Sequence, residues 1–313
     1  MIFKEQTKSV PITKEMVWES YKKVKSNGGS AGIDHQSLSD FDRVRSKELY
    51  KLWNRLASGS YFAPGVKRVT IPKGGGKTRP LGIPTVSDRI AQQVVKRYLE
   101  PRLESIFSEN SYGYRPNRNA HTAIEKVRQN VRHYSWVIDL DIQEFFENVS
   151  HTLLIKALER HVSEKWVLMY IRRWLEAPVV LEDGTVKMST GKGTPQGGVI
   201  SPLLANLYLH YCVDKWLEKH CPLVKMERYA DDLVIHCRSH EEAVQTLTVL
   251  KGRLTECGLT AHPEKTKIVY CKKDGRDLKG YPVQFDFLGF SFQPLRFGLK
   301  GGGSFLQFDC KMS

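Results

Sequence analysis

Two adjacent aspartates, Asp231 and Asp232, lie between two short stretches with strand character and limit the folds open to this chain. Residues 233–235 are apolar enough to be buried, so the acids would lie at the lip of a buried hairpin. A solvated turn is the ordinary interpretation, because aspartate hydrogen-bonds its own backbone in turns. Two carboxylates this close repel each other unless a cation bridges them. The alternative is half of a metal site, which needs a third carboxylate.

A candidate for the third carboxylate, Asp141, lies 90 residues before Asp231. The strand-like stretch 136–142 carries Asp139 and Asp141, which a two-residue period puts on one face. Asp141 is nearer the exposed end and is the better metal ligand, whereas Asp139 is expected to be structural or to support the ligands. A solvated strand end is the alternative interpretation of Asp141.

The charge balance favours a polyanionic partner. Lysine and arginine number 48 against 34 aspartates and glutamates, a formal net charge of +14, which favours nucleic acid over an acidic membrane surface. The six cysteines form no C-x-x-C pair, so no zinc site or disulfide framework is predicted. No stretch approaches the roughly 20 apolar residues that span a bilayer, and we expect a cytoplasmic protein.

A basic hairpin with a glycine-rich tip is predicted over residues 66–84. Glycines let backbone amides approach an anion, and Lys73 and Arg79 on the two arms are suited to clamping a triphosphate. A solvated basic hairpin is an equal alternative. Asp183-Gly184 predicts a second, tight hairpin.

Two further loops carry groups suited to nucleic acid. The loop 111–118 interleaves tyrosines with arginines, which suits stacking on bases and pairing with phosphates, although a packed connector is equally compatible. The glycine-rich loop 191–198 has Gln196 as its only amide and precedes a helix, 203–220, that is apolar nearly all round. Helix caps are predicted at Ser37, Thr85, Ser150 and Ser239. The tail from Phe297 is glycine-rich and shows no further periodic element.

Taken in order, these motifs resemble the reverse transcriptase domain of a bacterial group II intron-encoded protein, or maturase. Each motif alone is weak, but seven in the family order, between about residues 28 and 292, are strong. The matching stretches are 71–84, 111–116, 141–146, 193–198, 229–232, 264–267 and 287–290.

The resemblance implies an α+β fold, that of a right-hand polymerase with fingers and palm. An antiparallel palm sheet would be backed by helices, and helical fingers would carry a basic β-hairpin. It assigns residues 1–130 to the fingers with an N-terminal helical extension, and 131–292 to the palm with a fingers-like insertion around 150–190. Residues 293–313 would begin a linker. Family members continue into a thumb, called X in maturases, and often an endonuclease region, so we expect a fragment with poorly processive synthesis.

The resemblance also implies roles for individual residues. Asp141, Asp231 and Asp232 would be catalytic and would bind a pair of Mg²⁺ ions with the help of the Ile142 carbonyl. Gln143 and Glu144 depart from the usual Lys-Gly of the family, and Glu147 replaces Asp, which leaves the ligand and the gate intact. The other implied groups are Lys73 and Arg79 for the incoming triphosphate, Phe146 as a gate against the ribose 2′-hydroxyl, Gln196 for the nascent base pair or template, Lys265 or Lys267 for protonating pyrophosphate, and Tyr114, Arg115, Arg118 and Gly289 for template and primer.

The implied function is an RNA-directed DNA polymerase that uses dNTPs, a DNA primer and an RNA template. Intron RNA binding would assist splicing and mobility. Two alternatives are a mainly RNA-binding splicing cofactor and a reverse transcriptase of another bacterial retroelement, diversity-generating or CRISPR-associated. The sequence does not show whether the chain forms a homodimer.

Overall fold

The computed structural model describes residues 10–72, 76, 78–194, 197–273, 278–299 and 301–312. They form two compact units, the first from Met1–Ile106 and Phe146–Leu204 and the second from Phe107–Phe145 and Ala205–Ser313. Within the described part of the chain, no helix is both long and apolar enough to cross a membrane.

The helices and strands alternate irregularly along the chain, as expected of an α+β protein. The helices are α1 Lys14–Asn27, α2 Leu38–Arg43, α3 Arg45–Ala57, α4 Val86–Glu104, α5 Ala120–Asn130, α6 Phe145–Asn148, α7 His151–Glu159, α8 Lys165–Leu175, α9 Ser201–Leu209, α10 Lys215–His220 and α11 His240–Glu256. The strands are β1 Val66–Pro72, β2 Thr78–Ile83, β3 Trp136–Asp141, β4 Val179–Val180, β5 Val186–Lys187, β6 Lys225–Tyr229, β7 Asp232–Cys237, β8 Lys267–Tyr270, β9 Phe285–Phe287, β10 Phe290–Gly298 and β11 Ser304–Met312.

The first unit combines helices with a small sheet of order β2-β1-β4-β5. Strands β1 and β2 form the predicted basic hairpin, and β4 and β5 form the predicted hairpin around Asp183-Gly184. A buried carboxylate, Asp88 on α4, accepts hydrogen bonds from Tyr61 Oη and Trp174 Nε1, both at 2.8 Å, and from Gln92 Nε2 at 2.9 Å. Burial raises the pKa of Asp88, and these donors oppose the rise.

The second unit contains an antiparallel sheet of order β6-β7-β3-β8. Strand β3 lies between β7 and β8, and its residues 136–138 and 140 are buried, so the acids Asp139 and Asp141 are its more exposed positions. Helix α11 packs against β3, β7 and β8. Ser239 accepts a hydrogen bond from the Glu242 amide at 3.1 Å, which confirms the predicted cap of α11.

A second sheet, of order β11-β10-β9, completes this unit. Phe285, Phe292 and Phe308, one from each strand, are fully buried, and the rings of Phe285 and Phe292 stack with centroids 4.8 Å apart. The buried Asp309 of β11 binds Arg128 Nε at 2.6 Å and Arg132 Nη2 at 3.1 Å. Burial alone would raise the pKa of Asp309, but the hydrogen bonds from these arginines and from the backbone hold it below its ordinary value.

Three expectations about organisation differ from the structure. Residues 293–313 were expected to begin a linker, but β10 and β11 pair along their whole length, from Phe290↔Met312 to Gly298↔Ser304. The glycine-rich turn between them hides the pairing from a search for periodicity. Residues 107–130 were expected in the fingers, yet they group with the second unit because α5 buries Ala123, Ile124 and Val127 in its core. The helix predicted over 203–220 is interrupted by a π-helical segment, His210–Asp214.

If β11 is part of the folded core, truncating its buried ring will be costly. We expect Phe308→Ala to lower the free energy of unfolding by about 3–5 kcal/mol, because it opens a cavity in the stack. The matched variant is Phe305→Ala, at a partly exposed position of the same strand, which should cost clearly less. Urea denaturation followed by circular dichroism measures both. Equal, small losses would show that β11 does not contribute to the core.

Candidate active site

The three acids predicted from the sequence lie at one end of the β3–β7 strand pair. Asp141, the last residue of β3, is the direct cross-strand partner of Asp232, the first residue of β7. Asp231 occupies the two-residue turn that joins Tyr229 of β6 to Asp232. Directly opposed residues of antiparallel strands project to the same face, roughly 5 Å apart at Cβ. The register therefore brings together carboxylates that are 90 residues apart in the sequence.

These donors fit a hard divalent cation, because carboxylate and carbonyl oxygens are the ligands that Mg²⁺ takes. Among the described residues, no group of three or more His, Cys, Asp or Glu side chains is arranged so that it could already hold a metal. One of the acids is nevertheless paired with a cation, since Lys265 Nζ contacts Asp141 Oδ2 at 2.8 Å. In this structure the charge of the Asp141 carboxylate is thus matched by a lysine.

The backbone at Ile142 also bears on metal binding. An isolated antiparallel bridge joins Ile142 to Ala261. Its two hydrogen bonds run from the Gln143 amide to the Thr260 carbonyl and from the His262 amide to the Asp141 carbonyl, at 2.9 and 2.8 Å. Because the bridge uses the carbonyl of Asp141, the Ile142 carbonyl, predicted as a ligand, lies outside its hydrogen-bonding pattern.

The two lysines that the sequence could not separate have different partners. Lys265 pairs with Asp141, a candidate metal ligand, whereas Lys267 Nζ lies 3.7 Å from Asp139 Oδ2. Burial raises the pKa of Asp139 to about 7, and Lys267 opposes that rise. Asp139 is therefore a partly buried acid two residues before Asp141, and its role in supporting the ligands stays a prediction.

The turn that carries Asp231 has a strained backbone. Ala230 has a positive φ of 57°, which costs a residue other than glycine on the order of 1–3 kcal/mol. Gly113 lies so close that an added Cβ would be 2.5 Å from the Ala230 nitrogen. On the other side, Arg228 Nη1 donates to the Ala230 carbonyl at 3.0 Å. The strained conformation is thus held from both sides.

Sequence reasoning missed the residues that hold this turn. Arg228 is fully buried and forms a two-pronged ion pair with Asp214, at 2.7 and 2.6 Å. Its Nη1 also donates to Asn206 Oδ1 at 3.0 Å, and Asn206 Nδ2 donates to the Gly113 carbonyl at 2.7 Å. A signal was present, because Asp214 is the one acid in the mainly apolar stretch 203–217, and a buried carboxylate needs a buried cation.

The four residues predicted to contact template or primer divide by exposure. Tyr114 is 54% exposed, and Gly289 lies in an open two-residue turn between β9 and β10, where an added Cβ would meet nothing within 4 Å. Arg118 is half-buried beside Tyr112. Arg115 is buried and donates to the carbonyls of Ser108 and Ser111, at 2.5 and 2.7 Å. This placement does not support a phosphate contact by Arg115, which shapes its own loop instead.

Two of the other predicted nucleotide-binding residues, Arg79 and Phe146, belong to the first unit. Arg79 is exposed on β2, whereas Lys73 and Gln196 lie outside the described residues. Phe146 is half-buried, and its carbonyl accepts a hydrogen bond from the Thr194 amide at 2.7 Å. Gly197 of the glycine-rich loop packs tightly, because an added Cβ there would lie 2.2 Å from the Gly82 carbonyl oxygen.

The sheet carries one acid at the end of a central strand and two in the adjoining hairpin, which is the arrangement that the motif resemblance implied for a polymerase palm. Residues 71–292 match the family model described as reverse transcriptase (RNA-dependent DNA polymerase). The chain belongs to this reverse transcriptase family, which confirms the resemblance drawn from its motifs.

Its relatives include bacterial and intron-encoded proteins. Protein YkfC of Escherichia coli is 33% identical over 277 residues, which are 76% of this chain and 71% of that protein. Group II intron-encoded protein LtrA of Lactococcus lactis is 33% identical over 199 residues, 63% of this chain but 32% of LtrA. Nuclear intron maturase 2 of Arabidopsis thaliana is 31% identical over 169 residues, 42% of this chain and 23% of the maturase.

The fold also resembles solved structures of telomerase. The apo enzyme of Candida tropicalis, truncated from its C-terminal domain, superposes with a TM-score of 0.59 at 14% identity, over 80% of this chain and 55% of that one. The telomerase of Candida albicans gives a TM-score of 0.55. At this identity the likeness establishes the right-hand polymerase fold and no more, and it confirms the predicted fold class.

The close approach of Gly113 to Ala230 predicts that this position rejects a side chain. We expect Gly113→Ala to lower the free energy of unfolding by about 1–3 kcal/mol, because backbone atoms must move to admit the Cβ. Gly252→Ala is the matched control, because Gly252 lies inside α11 with nothing within 4 Å of an added Cβ. That change should be neutral or stabilise the protein by up to about 1 kcal/mol. Equal tolerance of both substitutions in thermal unfolding would contradict the packing described for the turn.

Proposed function

We propose that this chain is the reverse transcriptase domain of a bacterial group II intron maturase, which extends a DNA primer on an RNA template with dNTPs. The observation that carries this proposal is the register that sets Asp141 opposite Asp232, with Asp231 in the adjoining turn. The family match supports the polymerase chemistry, and the intron-encoded relatives support the maturase assignment. The proposed setting is the bacterial cytoplasm.

The carboxylates of Asp141, Asp231 and Asp232 would hold a pair of Mg²⁺ ions, together with the Ile142 carbonyl. When bound, these ions supply activation of the primer 3′-hydroxyl and stabilisation of the departing pyrophosphate. The acids themselves fix the positions at which this charge is delivered. Like-charge repulsion among them favours cation binding, which supports a metal role over a solvated turn.

Lys265 is the better of the two lysine candidates for protonating the pyrophosphate. Its ammonium group lies 2.8 Å from Asp141 Oδ2, next to a proposed ligand, whereas Lys267 is directed to Asp139. An ammonium group in this place can donate a proton to an oxyanion that develops beside it. Lys267 is then assigned to neutralising Asp139.

The remaining roles concern substrate binding. Lys73 and the exposed Arg79 would hold the incoming triphosphate, Phe146 would exclude the ribose 2′-hydroxyl, and Gln196 would contact the nascent base pair or template. Tyr114 and Gly289, which are exposed, and the half-buried Arg118 would contact template or primer. Aromatic faces and basic groups suit single strands because stacking and phosphate pairing tolerate any base sequence.

Binding of intron RNA is the second activity in this proposal. The formal net charge of +14 and the names of the maturase and intron-encoded relatives favour it. A chain that binds intron RNA but has no polymerase activity would be a splicing cofactor, the main alternative.

Primer extension tests the catalytic assignment. We expect Asp231→Asn to lower the rate of dNTP addition to a DNA primer on an RNA template, with Mg²⁺ present, by about 100-fold or more. The loss follows from removing one carboxylate charge at the proposed metal site. Asp183→Asn, in the exposed β4–β5 turn, is the matched control and should extend the primer at the wild-type rate.

Intron RNA binding by Asp231→Asn, measured by filter retention, separates the two activities. Retained RNA binding with lost extension would support one protein with two activities. Equal extension by Asp231→Asn and the wild-type protein would refute the catalytic assignment.

The proposed gate gives a separate test on sugar selectivity. We expect Phe146→Ala to raise the efficiency of ribonucleotide addition relative to deoxyribonucleotide addition by at least about tenfold, because the clash with the 2′-hydroxyl is removed. The ratio of kcat/KM for dGTP and GTP on one template measures it. Phe145→Leu, at the buried neighbouring position, should leave the ratio unchanged. A wild-type ratio in Phe146→Ala would remove Phe146 from the gate.

A further inference from the structure

The buried ion pair between Arg228 and Asp214 has no obvious purpose in stabilising the fold. Both side chains are fully buried. Such pairs are often no more stabilising than apolar residues of the same size, because both charges lose their water. Stabilisation alone therefore does not explain the ion pair, and we ask what the position of the guanidinium group does.

The described contacts of the Arg228 guanidinium are of two kinds. Two of its nitrogens bind Asp214, and the third binds the turn residue Ala230 and Asn206. Nε and Nη2 donate to the two carboxylate oxygens of Asp214, at 2.7 and 2.6 Å, which fixes the plane of the guanidinium group. Nη1 is then directed to the Ala230 carbonyl and to Asn206 Oδ1, both at 3.0 Å. Asp214 matches the charge of Arg228, so the arginine acts on the turn through its position and not through net charge.

The Ala230 carbonyl is part of the peptide group whose nitrogen belongs to Asp231. Holding this oxygen therefore fixes the peptide plane from which the Asp231 side chain starts. Ala230 has a positive φ, a conformation that the chain would leave without support. Asn206 adds the second support, because it binds the Gly113 carbonyl and thereby holds Gly113 against the Ala230 nitrogen.

The position of Asp214 depends on an irregular helix. It is the last residue of the π-helical segment His210–Asp214, whose wider turn changes which residues face the sheet. Arg228 itself is fixed along its backbone, since its amide donates to the Asn110 carbonyl and its carbonyl accepts from the Tyr112 amide, both at 2.8 Å. Both members of the ion pair thus have anchors outside the turn.

We propose that Arg228 is a positioning residue for polymerisation, whose guanidinium, oriented by Asp214, fixes the Ala230 carbonyl and through it the Asp231 carboxylate. The inference rests on the proposed function, in which Asp231 is a metal ligand. Arg228 touches neither substrate nor metal in this account. Removing the guanidinium group should make the position of the Asp231 carboxylate less defined while leaving nucleotide binding nearly intact.

The test compares Arg228→Lys with Arg128→Lys. Lysine keeps the positive charge but cannot bind Asp214 at two points and Ala230 at once. Arg128 is the control because it pairs with another buried acid of the same unit, Asp309, without contacting the turn. We expect Arg228→Lys to lower kcat and to weaken Mn²⁺ binding, followed by electron paramagnetic resonance, by about 10- to 100-fold each. The KM for dNTP should stay within about twofold, because binding energy elsewhere is unaffected.

Hydrogen exchange gives a readout that needs neither metal nor substrate. Amides of the 229–233 turn should exchange faster in Arg228→Lys, whereas those of β3 should not. Arg128→Lys should leave the turn and Mn²⁺ affinity unchanged. If Arg228→Lys does not fold, Asn206→Ala, which removes a neutral partner of the same Nη1, should show the same changes to a smaller, severalfold extent.

The positioning role would be overturned if folded Arg228→Lys showed the same turn exchange and the same Mn²⁺ affinity as the wild-type protein. If Arg228→Lys does not fold, the same outcome in Asn206→Ala would overturn it. Equal effects in Arg128→Lys would reduce it to general stability. These measurements use no primer, so they judge the positioning role even if the wild-type protein fails to extend one. That failure alone would refute the proposed function.

Discussion

The pairing register of β3 with β7 is the constraint on which the site depends. It sets Asp141 opposite Asp232 and joins parts of the chain that are 90 residues apart. The register is fixed by burial, because Ile138 and Leu140 pair with Ile235 and Leu233 on one face, where all four side chains are nearly inaccessible. A slip of one residue would turn these side chains toward the opposite face and would separate the acids. The same hydrophobic pattern that folds the sheet therefore also assembles the proposed metal site.

A second consequence of this register is that unfavourable charges and an unfavourable backbone conformation are concentrated at one end of the sheet. Burial brings Asp139 to a pKa of about 7, three acids crowd the strand ends, and Ala230 adopts a positive φ. Lys265 and Lys267 offset part of the charge, and the Arg228 fork holds the backbone. Proteins commonly break local rules at functional sites and compensate for them nearby. The concentration of these departures around Asp231 agrees with a site built for a cation.

Local features of the structure were readable from the sequence, whereas long-range ones were not. The caps at Ser37, Thr85 and Ser239 and the hairpin at Asp183-Gly184 depend on residues a few positions apart, and the structure confirms them. The motif order led to the family, which the family match confirms. Strand β11 was missed because its partner is reached through a glycine-rich turn. The meeting of Asp141 with Asp232 needed family resemblance, since no local pattern encodes a pairing across 90 residues.

The arginines show why composition alone overstates the surface available for RNA. Arg115 lies within one of the motifs that led to the family and was predicted to contact template or primer, and Arg228 directly precedes another of these motifs. Arg115 is buried among backbone carbonyls, and Arg228 is buried against Asp214. A guanidinium that is buried inside the protein cannot release counterions from a phosphate backbone. In the proposed function, the charge that binds nucleic acid therefore comes from exposed basic groups, whereas Arg115 shapes its own loop and Arg228 supports the turn that carries Asp231.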